Sequence, residues 1–244
     1  MRLQFLGTGG YHSNSRRQTA GLLLAECGIL LDAGSGLYRL MERVESPELE
    51  IFLTHAHLDH VQGLTYLLVP LEMKTLTRCC VHAQPQVLDV VRTHLFSPGL
   101  FPIAPRFDYA PLAEETRING VLITFRPLKH PGGSCGYQLT FPDGKRLAYI
   151  TDTTVDGSYT EWIRGADVLI HECYFSDDLT DWCEVTGHSS TSMVATLAKD
   201  ADVGRLYLTH IDPLKPVDDP VGLEVARAIF PQTFLAEDLL TIEI

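Results

Sequence analysis

The amino-acid sequence predicts an α/β protein in which helices pack on sheets in layers. Short apolar stretches bounded by glycine or proline are typical of strands, and they dominate the first part of the 244-residue chain. In the second part, helix-like stretches alternate with strands. Covering a sheet with helices is the simplest way to bury the apolar faces of both. A chain of this length supports one proper core, so we expect a single domain over residues 1–244.

Strands are predicted at each short apolar run. The first, at residues 3–6, leads into a glycine-rich turn, and residues 19–27 and 29–31 form two arms of a hairpin. A further, fully apolar strand at residues 51–53 precedes the most polar cluster of the chain. The remaining predicted strands lie at residues 80–82, 121–125, 136–141, 146–150, 168–170 and 206–208, with short strands at the end of the chain.

Helices are predicted at five longer stretches. Proline near the first turn favours a helix at residues 85–96, and Pro70 is expected to end a helix at residues 62–69. The other predicted helices are residues 37–44, 189–199 and 217–230. Residues 98–111 carry four prolines, and we interpret them as a loop that could overhang a site.

The composition argues against a membrane protein. Hydrophobic residues make up 45 % of the chain and charged residues 20 %, which is ordinary for a globular protein. No apolar run approaches the ~20 residues that a membrane span needs, and the first residues lack a signal-peptide cleavage site. None of the six cysteines falls in a C-x-x-C pair, so we expect reduced thiols. These features predict a cytoplasmic protein with no membrane partner.

The strong negative charge restricts which substrates the protein can bind. The formal net charge is −12, because 31 acidic residues outnumber 19 basic ones. A surface with this excess repels polyanions over most of its area. We therefore expect any nucleic-acid substrate to be small, unless it meets a local basic patch.

The strongest functional signal is the segment at residues 54–60, which reads THAHLDH and directly follows an apolar strand. In an extended segment His55 and His57 point the same way, because side chains alternate with a period of two. Asp59 and His60 then lie at the turn into a helix, which can direct them to a different point. One metal ion cannot comfortably bind all four side chains, whereas two can. Metal ions also supply the partners that so dense a cluster of imidazoles needs.

This segment resembles the H-x-H-x-D-H signature of the metallo-β-lactamase superfamily. Further residues match that pattern in order and setting, each just past an apolar strand: Asp32, His130, Asp152 and His210. The resemblance extends over nearly the whole chain and implies a four-layer αββα sandwich. It also implies that Asp32 steadies the metal loop without binding metal itself.

The resemblance further implies two metal sites. The first would be held by His55, His57 and His130. The second would be held by Asp59, His60 and His210, and Asp152 would bridge the two. Nitrogen-rich ligation favours two zinc ions, although the carboxylates would also suit manganese or iron.

Two later elements resemble the ribonuclease Z-like phosphodiesterases within this superfamily. Glu172 lies in the segment IHEC, and His188 lies in the segment GHSS, which leads into a predicted helix. In that group the histidine lies beside the metals and is positioned by the glutamate. The resemblance therefore implies that His188 acts as an acid or a phosphate contact and that Glu172 orients it. Asp59 would orient the nucleophile as well as bind metal.

One departure from that group bears on the substrate. Ribonuclease Z enzymes that trim transfer RNA precursors usually carry a long flexible arm, which we expect between His130 and Asp152. Only residues 131–151 lie there, and a hairpin uses them. The sequence therefore predicts a small phosphodiester or a short nucleic acid as substrate, such as a cyclic nucleotide, a cyclic phosphate or a short RNA. A homodimer is a further hypothesis, because relatives in this group often pair.

Two other functions fit the sequence less well. The same ligands would serve a lactonase or a thioesterase of this fold, but the elements around Glu172 and His188 favour a phosphodiesterase. A non-catalytic carrier or binding protein could also hold metal in such a site. The complete ligand set and the intact candidate acid argue against that function.

Overall fold

The computed structural model describes all 244 residues and contains fourteen strands in two sheets. The first half of the chain forms β1 (Arg2–Gly7), β2 (Gly21–Leu24), β3 (Ile29–Leu31), β4 (Glu48–Phe52), β5 (Arg78–Ala83), β6 (Asp108–Pro111) and β7 (Glu115–Ile118). The second half forms β8 (Val121–Leu128), β9 (Ser134–Thr140), β10 (Arg146–Ile150), β11 (Val168–Glu172), β12 (Arg205–Thr209), β13 (Thr233–Leu235) and β14 (Thr241–Glu243).

The helical segments are short. The α-helices are α1 (Leu58–Val61), α2 (Leu68–Glu72), α3 (Pro85–Val90), α4 (Thr160–Ile163), α5 (Cys183–Thr186), α6 (Thr191–Asp200) and α7 (Leu223–Ile229). Turns of 3-10 helix lie at Ala25–Cys27, Ser35–Glu42, Gln62–Leu67 and Asp177–Trp182, and a π-helical turn at Val91–Leu95 extends α3. None of these helices is long and apolar enough to cross a membrane.

Each sheet is half antiparallel and half parallel. The first sheet has the order β14-β1-β2-β3-β4-β5-β6, with parallel pairing from β3 to β6. The second has the order β13-β12-β11-β10-β9-β8-β7, with parallel pairing from β10 to β13. Parallel neighbours need crossover connections, and the helical segments supply most of them. The carboxyl ends of the parallel strands therefore lie together at one end of each sheet.

Apolar side chains fill three layers, one between the sheets and one under each set of helices. On β1, Leu3 and Phe5 point between the sheets, whereas Leu6 packs under the helices of the first sheet. On β10, Tyr149 points between the sheets and Ala148 packs under the helices of the second. Successive side chains of a strand point to opposite faces, so both faces of each sheet are buried. This arrangement is the predicted αββα sandwich.

Two edge strands have no counterpart among the predicted elements. The strand β6 lies within the proline-rich stretch that was interpreted as a loop, and Pro111 is its last residue. Proline is tolerated there because β6 is the edge of its sheet. The strand β7 is also an edge strand and contains alternating exposed and half-buried residues, so its apolar signal is weak.

Two predicted helices differ in extent from the observed ones. The helix predicted to end at Pro70 continues as α2, in which Pro70 is the third residue. The first N–H groups of a helix have no partner within it, so the missing N–H costs nothing there. The helix predicted over residues 217–230 is confined to α7. The carboxylate of Asp219 accepts hydrogen bonds from the N–H groups of Gly222 and Leu223, which fixes the start of α7.

Two hydrogen bonds from β9 join the two sheets next to the metal-binding segment. Tyr137 on β9 is completely buried, and its hydroxyl donates to the backbone carbonyl of Leu53 over 2.6 Å. Two residues earlier, the N–H of Cys135 donates to the carbonyl of Thr54. These bonds hold the end of β4 against the second sheet.

We expect Tyr137→Phe to lower the free energy of unfolding by about 1–3 kcal/mol, because the buried carbonyl of Leu53 loses its donor. Urea unfolding of the metal-free protein measures this change. Tyr66→Phe is the matched control, since the Tyr66 side chain is 40 % exposed. Equal stabilities of the two variants would show that the bond between the sheets contributes nothing.

Candidate metal centre

Seven predicted ligands come together where the carboxyl ends of the parallel strands meet. They are His55, His57, Asp59, His60, His130, Asp152 and His210. Four come from the segment after β4 in the first sheet. The other three come from the turn before β9 and from the ends of β10 and β12 in the second sheet. The site therefore lies between the two sheets, at one end of the sandwich.

The segment after β4 changes from extended chain to helix within four residues. His57 is still extended, with a φ of −65° and a ψ of 148°, and α1 begins at the next residue. The extended part places His55 and His57 next to each other, with ring centroids 4.4 Å apart. The first turn of α1 carries Asp59 and His60 in another direction. The turn therefore divides the four side chains into two pairs, as predicted.

Three residues at the site have a left-handed backbone conformation within two residues of the end of a strand. They are Asp32 after β3, Asp152 after β10 and His210 after β12, with φ values of 59°, 46° and 57°. Residues other than glycine rarely adopt this conformation, which costs on the order of 1 kcal/mol each. The sharp turn directs each side chain across the end of the sheet and toward the site.

One group of ligand atoms surrounds the first predicted metal position. The Nδ1 atom of His57 lies 3.3 Å from Nε2 of His130. Oδ2 of Asp152 lies 3.5 Å from Nε2 of His55 and 3.7 Å from Nε2 of His130. All four ligand atoms lie within 4.8 Å of one another.

A second group surrounds the other predicted position. The Nε2 atoms of His60 and His210 are 3.2 Å apart, and Oδ2 of Asp59 lies 3.4 Å from the first and 3.3 Å from the second. Oδ1 of Asp152 lies 3.2 Å from both ring nitrogens. Asp152 thus presents one oxygen to each group, which is the arrangement that a bridging ligand requires.

These distances fit a divalent metal ion in each group. Two ligands of one tetrahedral zinc ion lie about 3.3 Å apart, given zinc–nitrogen bonds of about 2.0 Å. The two contacts between imidazole nitrogens, at 3.2 and 3.3 Å, match this spacing. In addition, Nε2 of His55 is buried and makes no hydrogen bond in the protein. A buried polar atom without a partner is costly, and a metal ion would supply that partner.

Burial and neighbouring charges act in opposite directions on these residues. Burial lowers the pKa of His55 well below its usual value, and the neighbouring His60 adds to this effect. Burial alone would lower the pKa of His60, but the carboxylates of Asp152 and Asp59 raise it well above its usual value. Burial would raise the pKa of Asp152, yet His210 and His60 hold it well below its usual range. A metal ion would replace the proton on His60, because the same carboxylates attract both.

Asp32 supports the site from behind, as predicted, and lies outside both groups. Its completely buried carboxylate accepts hydrogen bonds from the N–H and hydroxyl of Thr54 and from the hydroxyl of Tyr149. It also lies 2.9 Å from Nδ1 of His60. Because Nδ1 donates to this carboxylate, Nε2 of His60 is left free to bind metal. The contact from Tyr149 was not predicted, since nothing in the sequence relates a tyrosine on β10 to Asp32.

His188 lies beside both groups and is held by a buried carboxylate. Its Nδ1 atom is 2.9 Å from Oε1 of Glu172, which is completely buried. A ring nitrogen of His188 lies within 4.8 Å of ligand atoms of Asp152 and His210. Burial would lower the pKa of His188, but the carboxylate of Glu172 raises it to about 9. His188 can therefore hold a proton that faces the candidate metal positions.

The Glu172 carboxylate also joins three loops around the site. It accepts hydrogen bonds from the N–H groups of Thr153, Tyr174 and Ser189, over 2.9, 3.3 and 3.2 Å. These residues follow β10, follow β11 and precede α6, respectively. Glu172 is therefore a buried anchor for His188, and not a surface residue at the end of a strand.

A pocket of about 180 Å³ opens over both groups. Three aromatic residues that were not predicted, Tyr11, Tyr174 and Phe175, form its wall together with His188. No lysine or arginine lines it. The proline-rich stretch at residues 98–111 lies elsewhere, because its residues Phe101 and Phe107 pack against the core under the helices of the first sheet.

The αββα sandwich and this cluster of histidines and aspartates at the ends of its strands define a metal-dependent hydrolase. A family model described as a β-lactamase superfamily domain matches residues 28–211, which is most of the chain. The protein therefore belongs to the β-lactamase superfamily. The matched residues include every predicted metal ligand, Glu172 and His188.

The chain is similar over its whole length to ribonuclease Z proteins, which confirms the predicted resemblance. Ribonuclease Z of Methanosarcina mazei is 27 % identical over 300 aligned positions, which cover 100 % of this chain and 98 % of the relative. The alignment is longer than the 244 residues of this chain. The relative therefore contains inserted segments that have no counterpart here.

Two solved structures share the fold over nearly their whole length. The metallo-β-lactamase fold protein YhfI from Bacillus subtilis has a TM-score of 0.83 and 20 % identity, with 99 % of both chains covered. The short form of human tRNase Z has a TM-score of 0.80 and 23 % identity, with 100 % of this chain and 99 % of that chain covered. These likenesses confirm the predicted fold.

We expect Asp32→Asn to weaken divalent metal binding by roughly 10–100-fold. The new amide would place an N–H donor opposite Nδ1 of His60 and favour the tautomer with the proton on Nε2, the atom that faces the metal position. Competition titration of zinc against a chelating indicator measures the affinity.

Tyr149→Phe is the control for this substitution. It removes one donor to Asp32 and leaves the acceptor for His60 in place, so a smaller loss of affinity is expected. If Asp32→Asn binds zinc as tightly as the unaltered protein, Asp32 does not fix the tautomer of His60.

Proposed function

We propose that the protein is a phosphodiesterase that hydrolyses a small phosphodiester with two divalent metal ions bound in the two ligand groups. The observation that carries this proposal is the position of Asp152 between the groups, with the His188–Glu172 pair beside them. Zinc suits the imidazole-rich ligand set best, and manganese or iron would also suit its carboxylates.

The proposed ligands divide as the distances suggest. His55, His57 and His130 would hold one metal ion, and Asp59, His60 and His210 would hold the other. Asp152 would serve both, because one of its carboxylate oxygens faces each group. When bound, the metal pair supplies Lewis-acid chemistry, which polarises the phosphate oxygens and makes a water molecule acidic enough to attack near neutral pH.

Asp59 is proposed to orient the attacking water as well as to bind metal. Its Oδ2 atom accepts a hydrogen bond from the N–H of Tyr11 over 2.7 Å, which fixes the rotation of the carboxylate. The side chain is buried, and burial would raise its pKa, yet His60 and His210 lower that pKa far below its usual range. The carboxylate is therefore anionic and can accept a hydrogen bond from water in the pocket, which orients that water.

His188 is proposed to act on the phosphate or on the leaving oxygen. Because Nδ1 donates to Glu172, Nε2 is the nitrogen that faces the pocket. A protonated Nε2 can donate a hydrogen bond to a phosphate oxygen, where it stabilises developing charge. The same proton can move to the leaving oxygen, after which Glu172 keeps the neutral ring in place.

Charge and size favour a small substrate over a long RNA. The chain has a net charge of −12, and no lysine or arginine lines the pocket to bind a second phosphate. The segments that ribonuclease Z of M. mazei has in addition are absent from this chain. A cyclic nucleotide, a cyclic phosphate or a short RNA fits these limits. Homodimer formation and a cytoplasmic location stay predictions from the sequence.

Purified without chelator, the protein is expected to contain about two zinc ions per chain and to hydrolyse bis(p-nitrophenyl) phosphate. Asp152→Ala should reduce the metal content below one ion per chain, because both groups lose a ligand. Elemental analysis by mass spectrometry measures the content. Asp156→Ala, an exposed carboxylate on the same loop, should keep the metal content unchanged. A full complement of metal in Asp152→Ala would contradict the bridging position.

His188→Ala is expected to retain its metal and to lose a factor of roughly 10²–10³ in kcat, the usual contribution of a positioned acid. Steady-state kinetics on bis(p-nitrophenyl) phosphate, with metal analysis of the same samples, measures both properties. His94→Ala removes an exposed imidazole far from the site and serves as the control. Loss of metal in His188→Ala would point to a structural role of His188. An unchanged rate would contradict its role as an acid.

A substrate panel separates this function from its alternatives. It should contain cyclic nucleotides, a short RNA, a transfer RNA precursor, a lactone and a thioester. Turnover of the lactone or thioester alone would favour a lactonase or thioesterase of the same fold. Cleavage of the precursor alone would favour RNA processing, as the ribonuclease Z name of the relatives suggests. No turnover with metal bound would favour a non-catalytic carrier.

A further inference from the structure

Tyr11 combines three features that its neighbours in sequence do not explain. Its backbone is left-handed, with a φ of 58°, a conformation that a bulky side chain rarely adopts. Its N–H donates to the carboxylate of Asp59 over 2.7 Å, so the strained conformation is fixed from the metal site. Its aromatic side chain is nevertheless 71 % exposed at the wall of the pocket.

The packing of the protein does not account for this exposed ring. Burial of an aromatic ring stabilises a fold, whereas an exposed ring contributes little, and strain that the core does not require is often found at functional sites. The loop that carries Tyr11 is held by Gly10, where a Cβ atom would lie 2.5 Å from the ring of His210. The glycine brings the loop directly over the metal ligands and places Tyr11 at the rim.

Tyr11 is the aromatic residue of the pocket whose ring is open to a ligand. The ring of Tyr174 stacks on His188, with centroids 4.7 Å apart and an angle of 17° between the planes. Phe175 is buried and contacts Tyr174 edge to face. The ring of Tyr11 has only a tilted contact with His12, at 5.2 Å.

The charges around the pocket restrict the ligand further. Outside the pocket, Lys129 pairs with Glu184, Arg17 with Glu237 and Arg39 with Asp238, and Lys215 donates to the hydroxyl of Ser176. Within the pocket, only His188 and the metal-binding groups could therefore neutralise a phosphate. The parts of a substrate other than its phosphate therefore have to be bound by uncharged contacts. Stacking on the open aromatic ring of Tyr11 is the strongest such contact that the pocket offers.

We propose that Tyr11 stacks on a planar aromatic group of the substrate, so that the pocket selects a phosphodiester that has one phosphate and carries a nucleobase. This proposal rests on the proposed phosphodiesterase function and narrows its substrate class to nucleotides. Base stacking on an aromatic side chain is sequence-tolerant, since every base has a planar face. The pocket should therefore prefer nucleotides over sugar phosphates without strongly distinguishing one base from another.

Binding of product-like monoesters tests this preference without turnover. Adenosine 5′-monophosphate and ribose 5-phosphate carry the same phosphate and sugar and differ only in the base. Calorimetry on the zinc-loaded protein is expected to show roughly tenfold tighter binding of the nucleotide. Tyr11→Asn keeps a side chain that tolerates the left-handed backbone but has no ring. In this variant the ratio of the two dissociation constants should fall close to one. Tyr11→Phe keeps the ring and should retain the preference for the nucleotide.

The outcome separates this proposal from the proposed function. Equal binding of the two ligands, or a preference that is the same in Tyr11→Asn, would overturn stacking on Tyr11. Hydrolysis of bis(p-nitrophenyl) phosphate by the same preparations is measured separately. If turnover is absent but the preference depends on Tyr11, the stacking site stands and the phosphodiesterase function fails.

Discussion

The carboxylate of Asp152 is the contact on which both halves of the site depend. One oxygen lies 3.2 Å from ring nitrogens of His60 and His210, and the other lies 3.5 Å from His55. So many buried imidazoles need a common acceptor or a common cation, and a single anionic residue between them can accept their protons' hydrogen bonds or help to bind that cation. The backbone of Asp152 is left-handed two residues after the end of β10, so the second sheet fixes where this charge lies. The histidines of the first sheet are arranged around it.

Two further buried carboxylates repeat the same principle behind the ligands. Asp32 lies against Nδ1 of His60, and Glu172 lies against Nδ1 of His188. In each case the carboxylate fixes the ring orientation and leaves the other nitrogen facing the site. Each also accepts backbone N–H groups, so it is held by the chain and not only by the imidazole. The reactive side chains are therefore positioned by charges that face away from solvent.

The sequence predicts much of this arrangement, because ligand residues directly after apolar strands must lie at the ends of sheets. That reasoning locates the segment at residues 54–60, and the family resemblance adds the later ligands and the pair of Glu172 and His188. It does not find β6 and β7, since edge strands need only weak apolar patterns. It also misses Tyr11 and Tyr149, because their importance comes from a left-handed backbone and from a contact between strands distant in sequence. Neither feature leaves a local pattern of residues.

The ligand groups draw on both sheets, and this has a consequence for the whole molecule. Four ligands follow β4 in the first sheet, and three belong to the second sheet. Any cation held there would act as a cross-link between the two halves of the sandwich, and its binding free energy would add to folding by mass action. Opening of the sheets would then require release of the ions. Resistance to proteolysis and to hydrogen exchange would follow the free metal concentration, so the supply of metal would govern the lifetime of the protein as well as its chemistry.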